Sequence, residues 1–137
     1  MLIYMAGFAG WLQISPGVAS PPWRMYFKLT DLTDPGPGKT LLFWDQREDV
    51  INWGNFFIDM SGYPDQPNQT QFGSDMPASY HNGAGGLSFA DGHAEIRRWR
   101  DPRTTPPVRE GVQWFGGSSP RNQDIMWLQE RATRKMK

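Results

Sequence analysis

The stretch 86–99 constrains this chain more than any other, because Asp91-Gly92 stands between two runs in which apolar residues alternate. A two-residue turn of type I′ needs φ > 0 at both central positions, and Asp-Gly is among the few pairs that accept this. With such a loop Ala90 and His93 become the closing pair, Phe89 faces Ala94, and Leu87 faces Ile96. Phe89, Ala94, Leu87 and Ile96 then share one face, with Ser88 and Glu95 on the other. Register and hydrophobic pattern therefore agree.

Further elements can be placed around this hairpin. Thr40-Leu41-Leu42-Phe43-Trp44 is an apolar run of strand length, predicted to be a buried central strand. Asn55-Phe56-Phe57-Ile58-Asp59-Met60 reads as another strand. Asp34-Pro35-Gly36-Pro37-Gly38 is a turn, since Pro presets φ and Gly accepts φ > 0. Residues 1–27 read as irregular structure or short edge strands, 61–78 as a long polar loop, and Gly116-Gly117-Ser118-Ser119-Pro120 as a linker. Residues 120–137 end the chain as a helix. Asn122 caps it, Ile125, Leu128 and Ala132 share a face, and Glu130 with Arg134 makes an i,i+4 pair. The expected fold is α+β: one domain over residues 1–137, an antiparallel sheet in 28–115 with long loops, and a short C-terminal helix.

Composition suits that picture. The 137 residues include seven Trp, eight Phe, four Tyr, 15 Gly and 12 Pro, which describes a loop-rich domain held by large rings. Zero formal net charge argues against nucleic-acid binding by counterion release. The charges are segregated, with ten acids and four Lys/Arg up to Glu95, and four acids and ten Lys/Arg from Ile96 onward. This asymmetry favours a basic tail folded against acidic loops, or head-to-tail contact between subunits. The absence of Cys excludes a disulfide framework and thiolate chemistry. No stretch reaches the ~18–20 apolar residues that span a bilayer, and 1–12 lacks the basic flank of a signal peptide, so no targeting signal is expected.

Three groups of residues can carry chemistry. The only histidines, His81 and His93, flank Asp91-Gly92. One reading is structural, with His81 donating a ring N–H to Asp91 or a nearby carbonyl and pinning the Gly-rich approach to the hairpin. Another makes His81, Asp91 and His93 zinc ligands. In the second group Asp45, Glu48, Asp49 and Asp59 offer oxygen ligands for calcium, against a solvated loop in which Arg47 pairs with Asp49 or Glu48. In the third, Trp53, Trp99 and Trp114 lie near Gly, Pro or charged residues, where exposed indoles can stack on sugars, against the simpler role of core filling. A phosphate loop is excluded at Gly36-Pro37-Gly38-Lys39-Thr40, because the first glycine of that motif would fall on Thr33 and a strand follows. No catalytic residue is assigned.

The segment Tyr80-His81-Asn82-Gly83-Ala84-Gly85-Gly86-Leu87-Ser88-Phe89-Ala90-Asp91-Gly92-His93-Ala94-Glu95 resembles the H-x9-DG motif of prepilin-type proteins. The strand and acidic loop of residues 42–52, and Arg97-Arg98-Trp99-Arg100-Asp101-Pro102 after the hairpin, extend the resemblance to roughly residues 28–137. It implies a non-enzymatic structural subunit, the globular head of a type IV pilin or type II secretion pseudopilin. Its expected place is the cell envelope, on the periplasmic or extracellular face. Its partners would be other pilin-like subunits or secretion machinery, with membrane contact only through an N-terminal helix absent from this sequence. No cofactor is expected from the resemblance, although some major pseudopilins hold calcium. The competing expectations are a polysaccharide- or surface-binding module using exposed Trp and, third, a metal-dependent hydrolase.

Overall fold

The computed structural model describes residues 2–4, 23, 24, 26, 28–51, 55–111 and 116–135. The chain is an α+β fold. Its main sheet contains β1 (Leu2–Tyr4), β2 (Leu41–Trp44), β3 (Asn55–Phe57), β5 (Ala84–Phe89) and β6 (Ala94–Arg98), in the spatial order β3-β1-β2-β5-β6. All neighbours are antiparallel except β1 and β3, which run parallel with Leu2 against Asn55. A second, two-stranded ribbon pairs β4 (Gln71–Phe72) with β7 (Gly117–Ser118). The helix α1 (Gln123–Gln129) follows. Among the described residues no helix is long and apolar enough to cross a membrane.

The apolar run predicted to be a buried central strand is central but buried on one face only. β2 lies in the middle of the sheet, with Leu41 and Trp44 buried, Leu42 and Phe43 exposed, and Trp44 stacked on Phe56 at 3.8 Å between ring centroids. From β5, Leu87 and Phe89 add to the same core, and Ile125, Leu128 and Ala132 close it from the helix side. Those three are the face expected from helical spacing. Asn122 caps α1 as predicted, its side-chain oxygen accepting the N–H groups of Asp124 and Ile125. The helix is shorter than residues 120–137, because tertiary hydrogen bonds claim the carbonyls beyond it. Leu41 N–H donates to Arg131 O and Arg24 N–H to Arg134 O, so the tail turns away to lie beside 23–24. The i,i+4 contact survives the change, with Arg134 3.2 Å from Glu130, and Arg134 also reaches Asp34 at 3.1 Å. Through this pair one arginine of the basic tail meets the acid of the 34–38 turn.

Three expectations need correction. Residues 1–27 contain an interior strand, since β1 is paired on both sides. The polar loop 61–78 and the linker 116–120 each contribute a strand, β4 and β7, joined by a register of Gln71 with Ser118 that short-range patterning could not show.

The third concerns the hairpin, which forms where expected but one residue out of register. Ser88 pairs with Ala94, Leu87 with Glu95 and Gly86 with Ile96, while Phe89 N–H donates to His93 O. The loop is therefore three residues, Ala90-Asp91-Gly92. Gly92 N–H donates to Phe89 O, and Gly92 alone takes the left-handed conformation, at φ 94. This is a turn followed by a glycine bulge rather than a type I′ turn. The cause lies in Asp91. Its carboxylate accepts the backbone N–H of His93, two residues on, and such a local bond holds an Asp in an ordinary backbone conformation. As a result Ile96 faces outward, 68% exposed, while Glu95 and Arg97 take the helix-facing side of β6.

Candidate functional site

The motif segment builds β5 and both of its ends. At the start, His81 N–H donates to Ala84 O and Trp99 N–H donates to Gly83 O, tying the Gly-rich approach to the end of β6. Gly85 is required here: a Cβ would stand 2.6 Å from the carbonyl oxygen of Ala78 and 3.3 Å from the Trp99 ring. Trp99 packs into that space and its indole N–H donates to Ala78 O at 2.8 Å. At the far end Asp91 Oδ1 lies 2.6 Å from His93 Nδ1, and the His93 ring stacks on Phe89 at 4.2 Å and 3° between planes. The hydrogen bonds from the His93 ring and backbone hold the Asp91 carboxyl below its ordinary range.

His81 and Asp91 thus sit beyond opposite ends of a six-residue strand, whose five steps alone span roughly 17 Å at about 3.3 Å per residue. The pinning contact expected between them does not form, and His81, Asp91 and His93 do not converge as metal ligands. The His81 ring instead lies, half exposed, 3.8 Å from the Asp45 carboxylate. What holds the Gly-rich approach is the His81 backbone rather than its imidazole.

The calcium candidates are also dispersed, each committed to a different partner. Asp45 accepts the N–H of Gly86 at 3.1 Å. Glu48 accepts the Tyr80 hydroxyl proton at 2.5 Å, while its own N–H donates to the same hydroxyl oxygen. Asp49 forms a two-point ion pair with Arg47, at 2.6 and 2.8 Å, and Arg47 also donates to the carbonyls of Pro106 and Pro107. Arg47 is 1% exposed, so this local pair is a buried anchor for the Pro-rich segment rather than a solvated loop. The same guanidinium holds the Asp49 carboxyl below its ordinary range, against the opposing effect of burial. Asp59 accepts from Ser61 N–H and Gln71 Nε2. Among the described residues no group of three or more His, Asp or Glu is arranged to hold a metal ion.

Of the three indoles named as sugar-stacking candidates, Trp99 is 6% exposed and belongs to the core, because its ring fills the space above Gly85. Trp53 and Trp114 lie outside the described residues.

Two carboxylates that sequence reasoning placed in no site are buried. Asp75 is 3% exposed. It accepts the N–H of Phe57 at 2.7 Å and Gln46 Nε2 at 2.9 Å, and burial pushes its pKa up to about 6. Beside it Trp44, Phe57, Asp59, Phe72 and Gly73 line a cavity of about 10 Å³. That is room for one water and far below a small-molecule site. Asp124, wholly buried in α1, accepts from Arg100 N–H, Asp101 N–H and the Thr104 hydroxyl. It fixes the turn after β6 to the helix. Near it, two guanidinium groups lie over the Trp127 ring, Arg97 at 3.8 Å and Arg131 at 3.7 Å from the ring centroid.

These parts define an α+β domain whose motif residues are engaged in strand and turn geometry. Compared with protein-family models, curated proteins and solved structures, the chain matches none at a significant level.

Proposed function

We propose that this chain is a non-enzymatic structural subunit, resembling the globular head of a type IV pilin or type II secretion pseudopilin. The observation that supports this reading best is how the H-x9-DG residues are used. His81 opens β5 through its backbone, Asp91 shapes the closing turn through His93, and Gly92 supplies the one left-handed position that the turn needs. A motif spent on building a strand and its turn serves a surface for contact rather than turnover. In this reading the head stands on the periplasmic or extracellular face of the cell envelope. It works through contacts with other pilin-like subunits or secretion machinery, without nucleic acid or cofactor.

Fractionation of the source cells tests it. Antibodies to the purified domain should label the envelope fraction or sheared surface filaments, and site-directed cross-linkers on the domain should capture neighbouring pilin-like subunits. Recovery of the protein in the cytosolic fraction alone would refute the proposal.

A further inference from the structure

The two borders of the main sheet differ. On β3, the Phe57 N–H is taken by the buried Asp75 carboxylate. On β6, nothing among the described residues takes the outward groups. Phe89 and His93 exchange a hydrogen bond and Trp99 donates to Gly83, so positions 93, 95, 97 and 99 point their backbone groups at β5. Ala94, Ile96 and Arg98 therefore direct N–H and C=O away from the sheet, where neither finds a partner. An open strand edge of this kind is a template for pairing with another chain. Ile96, the most exposed large apolar side chain of the described residues, stands in the middle of it.

We infer that β6 is a homodimer contact, pairing antiparallel with β6 of a second copy about a two-fold axis at Ile96. The side chains select this register from the few that an edge allows. Outward-pointing residues must pair with outward-pointing ones, so the axis passes through residue 95, 96 or 97 when the strands overlap well. At 95 it sets Glu95 against its own copy, and at 97 it sets Arg97 against its own copy. Both oppose like charges at close range. At 96 each Glu95 meets an Arg97 of the other chain, each Ala94 meets an Arg98, and the two Ile96 side chains meet at the axis. Glu95 and Arg97 are then non-hydrogen-bonded partners, the closer of the two kinds of cross-strand pair.

Arg97 has the capacity for this partner. Within one chain its carboxylate contact is 4.0 Å to Asp124, its Nε is buried without a hydrogen bond, and Arg131 lies over the same Trp127 ring. A carboxylate from the second copy supplies the close partner that Arg97 lacks within one chain, where Asp124 comes no nearer than 4.0 Å. The contact does not rest on the pilin-like reading. A two-fold pairing closes on itself, whereas filament growth needs head-to-tail contacts, so either can fail without the other.

Sedimentation velocity on the full chain, from micromolar to hundreds of micromolar, tests the inference. The wild type should show a concentration-dependent dimer. Glu95→Arg should weaken it at least about tenfold, because two attractive pairs per dimer become repulsive. Arg97→Glu should do the same. An equimolar mixture of the two variants should restore association, since both cross-strand pairs become opposite in sign again. Ile96→Pro removes an N–H that points away from β5, and should leave a folded monomer by circular dichroism. A wild type that stays monomeric throughout, or a dimer indifferent to both Glu95→Arg and Ile96→Pro, would overturn it.

Discussion

Replacing Asp75 by Asn should make the protein more stable at neutral pH and should remove one specific pH dependence. Asp75 sits 3% exposed between the Phe57 N–H and the Gln46 amide, with no cation beside it among the described residues. Burial raises its pKa from 3.8 to about 6, a shift of roughly two units worth about 3 kcal/mol. The sign follows from proton uptake. Between about pH 4 and pH 6 the folded chain binds this proton more tightly than the unfolded chain, so the contribution of Asp75 falls as pH rises through that window. Above about pH 6 the whole penalty is present. Asn keeps an acceptor for Phe57 N–H. Its amide reaches Gln46 Oε1, which is buried without a partner, once the Gln46 amide turns over and gives up its bond to Val50 O, a cost of about 1 kcal/mol that is independent of pH. Urea unfolding followed by tryptophan fluorescence, at intervals from about pH 4 to pH 7, measures both proteins. The stability gap in favour of Asn should open by roughly 3 kcal/mol over that range. Asp49, whose lowered pKa gives stability that is lost as pH falls, contributes equally to both proteins and cancels in the difference. A gap that stays constant, or that closes as pH rises, would refute the reasoning.

Two further outcomes follow from the other buried charges. Arg47→Ala leaves the buried Asp49 carboxylate without its countercharge, holding only the Arg109 N–H, and takes the donor from two proline carbonyls; it should cost about 3–5 kcal/mol in urea unfolding at pH 7. Asp124→Ala strands the N–H groups of Arg100 and Asp101 and the Thr104 hydroxyl. It should cost about 3 kcal/mol or more, visible as a lower urea midpoint with an unchanged slope.

The parts of the fold that were legible share one property: the atoms that decide them are close in sequence. The helix cap at Asn122 and the face of Ile125, Leu128 and Ala132 follow from backbone geometry over a few residues. The Arg47–Asp49 pair spans two positions, and the central placement of β2 follows from an unbroken apolar run. The hairpin was half legible. Asp91-Gly92 marks the turn, but the bond from His93 N–H to the Asp91 carboxylate decides whether the loop holds two residues or three. That one residue moves Ile96 from the core face to the surface.

Most of what bears on the candidate site was decided across distance. His81 and Asp91 look adjacent in the motif, yet an intervening strand holds them apart, and the acidic residues 45–59 point to four separate partners. Trp99 is buried because Gly85 and the Ala78 carbonyl, contributed by other segments, leave a slot for its ring. Asp124 suits the first turn of its helix, but nothing local marked the burial of Asp75 or Asp124, since their donors lie 18 to 29 residues away. By itself the sequence determined β2, β3, the two hairpin strands, the turn between them and the start of the helix, because hydrophobic period and turn chemistry act over a few residues. By contrast, β1, β4 and β7 formed only through distant partners. Only the tertiary structure decided register, burial of charge and the open edge of β6, because each depends on which distant backbone groups find a partner.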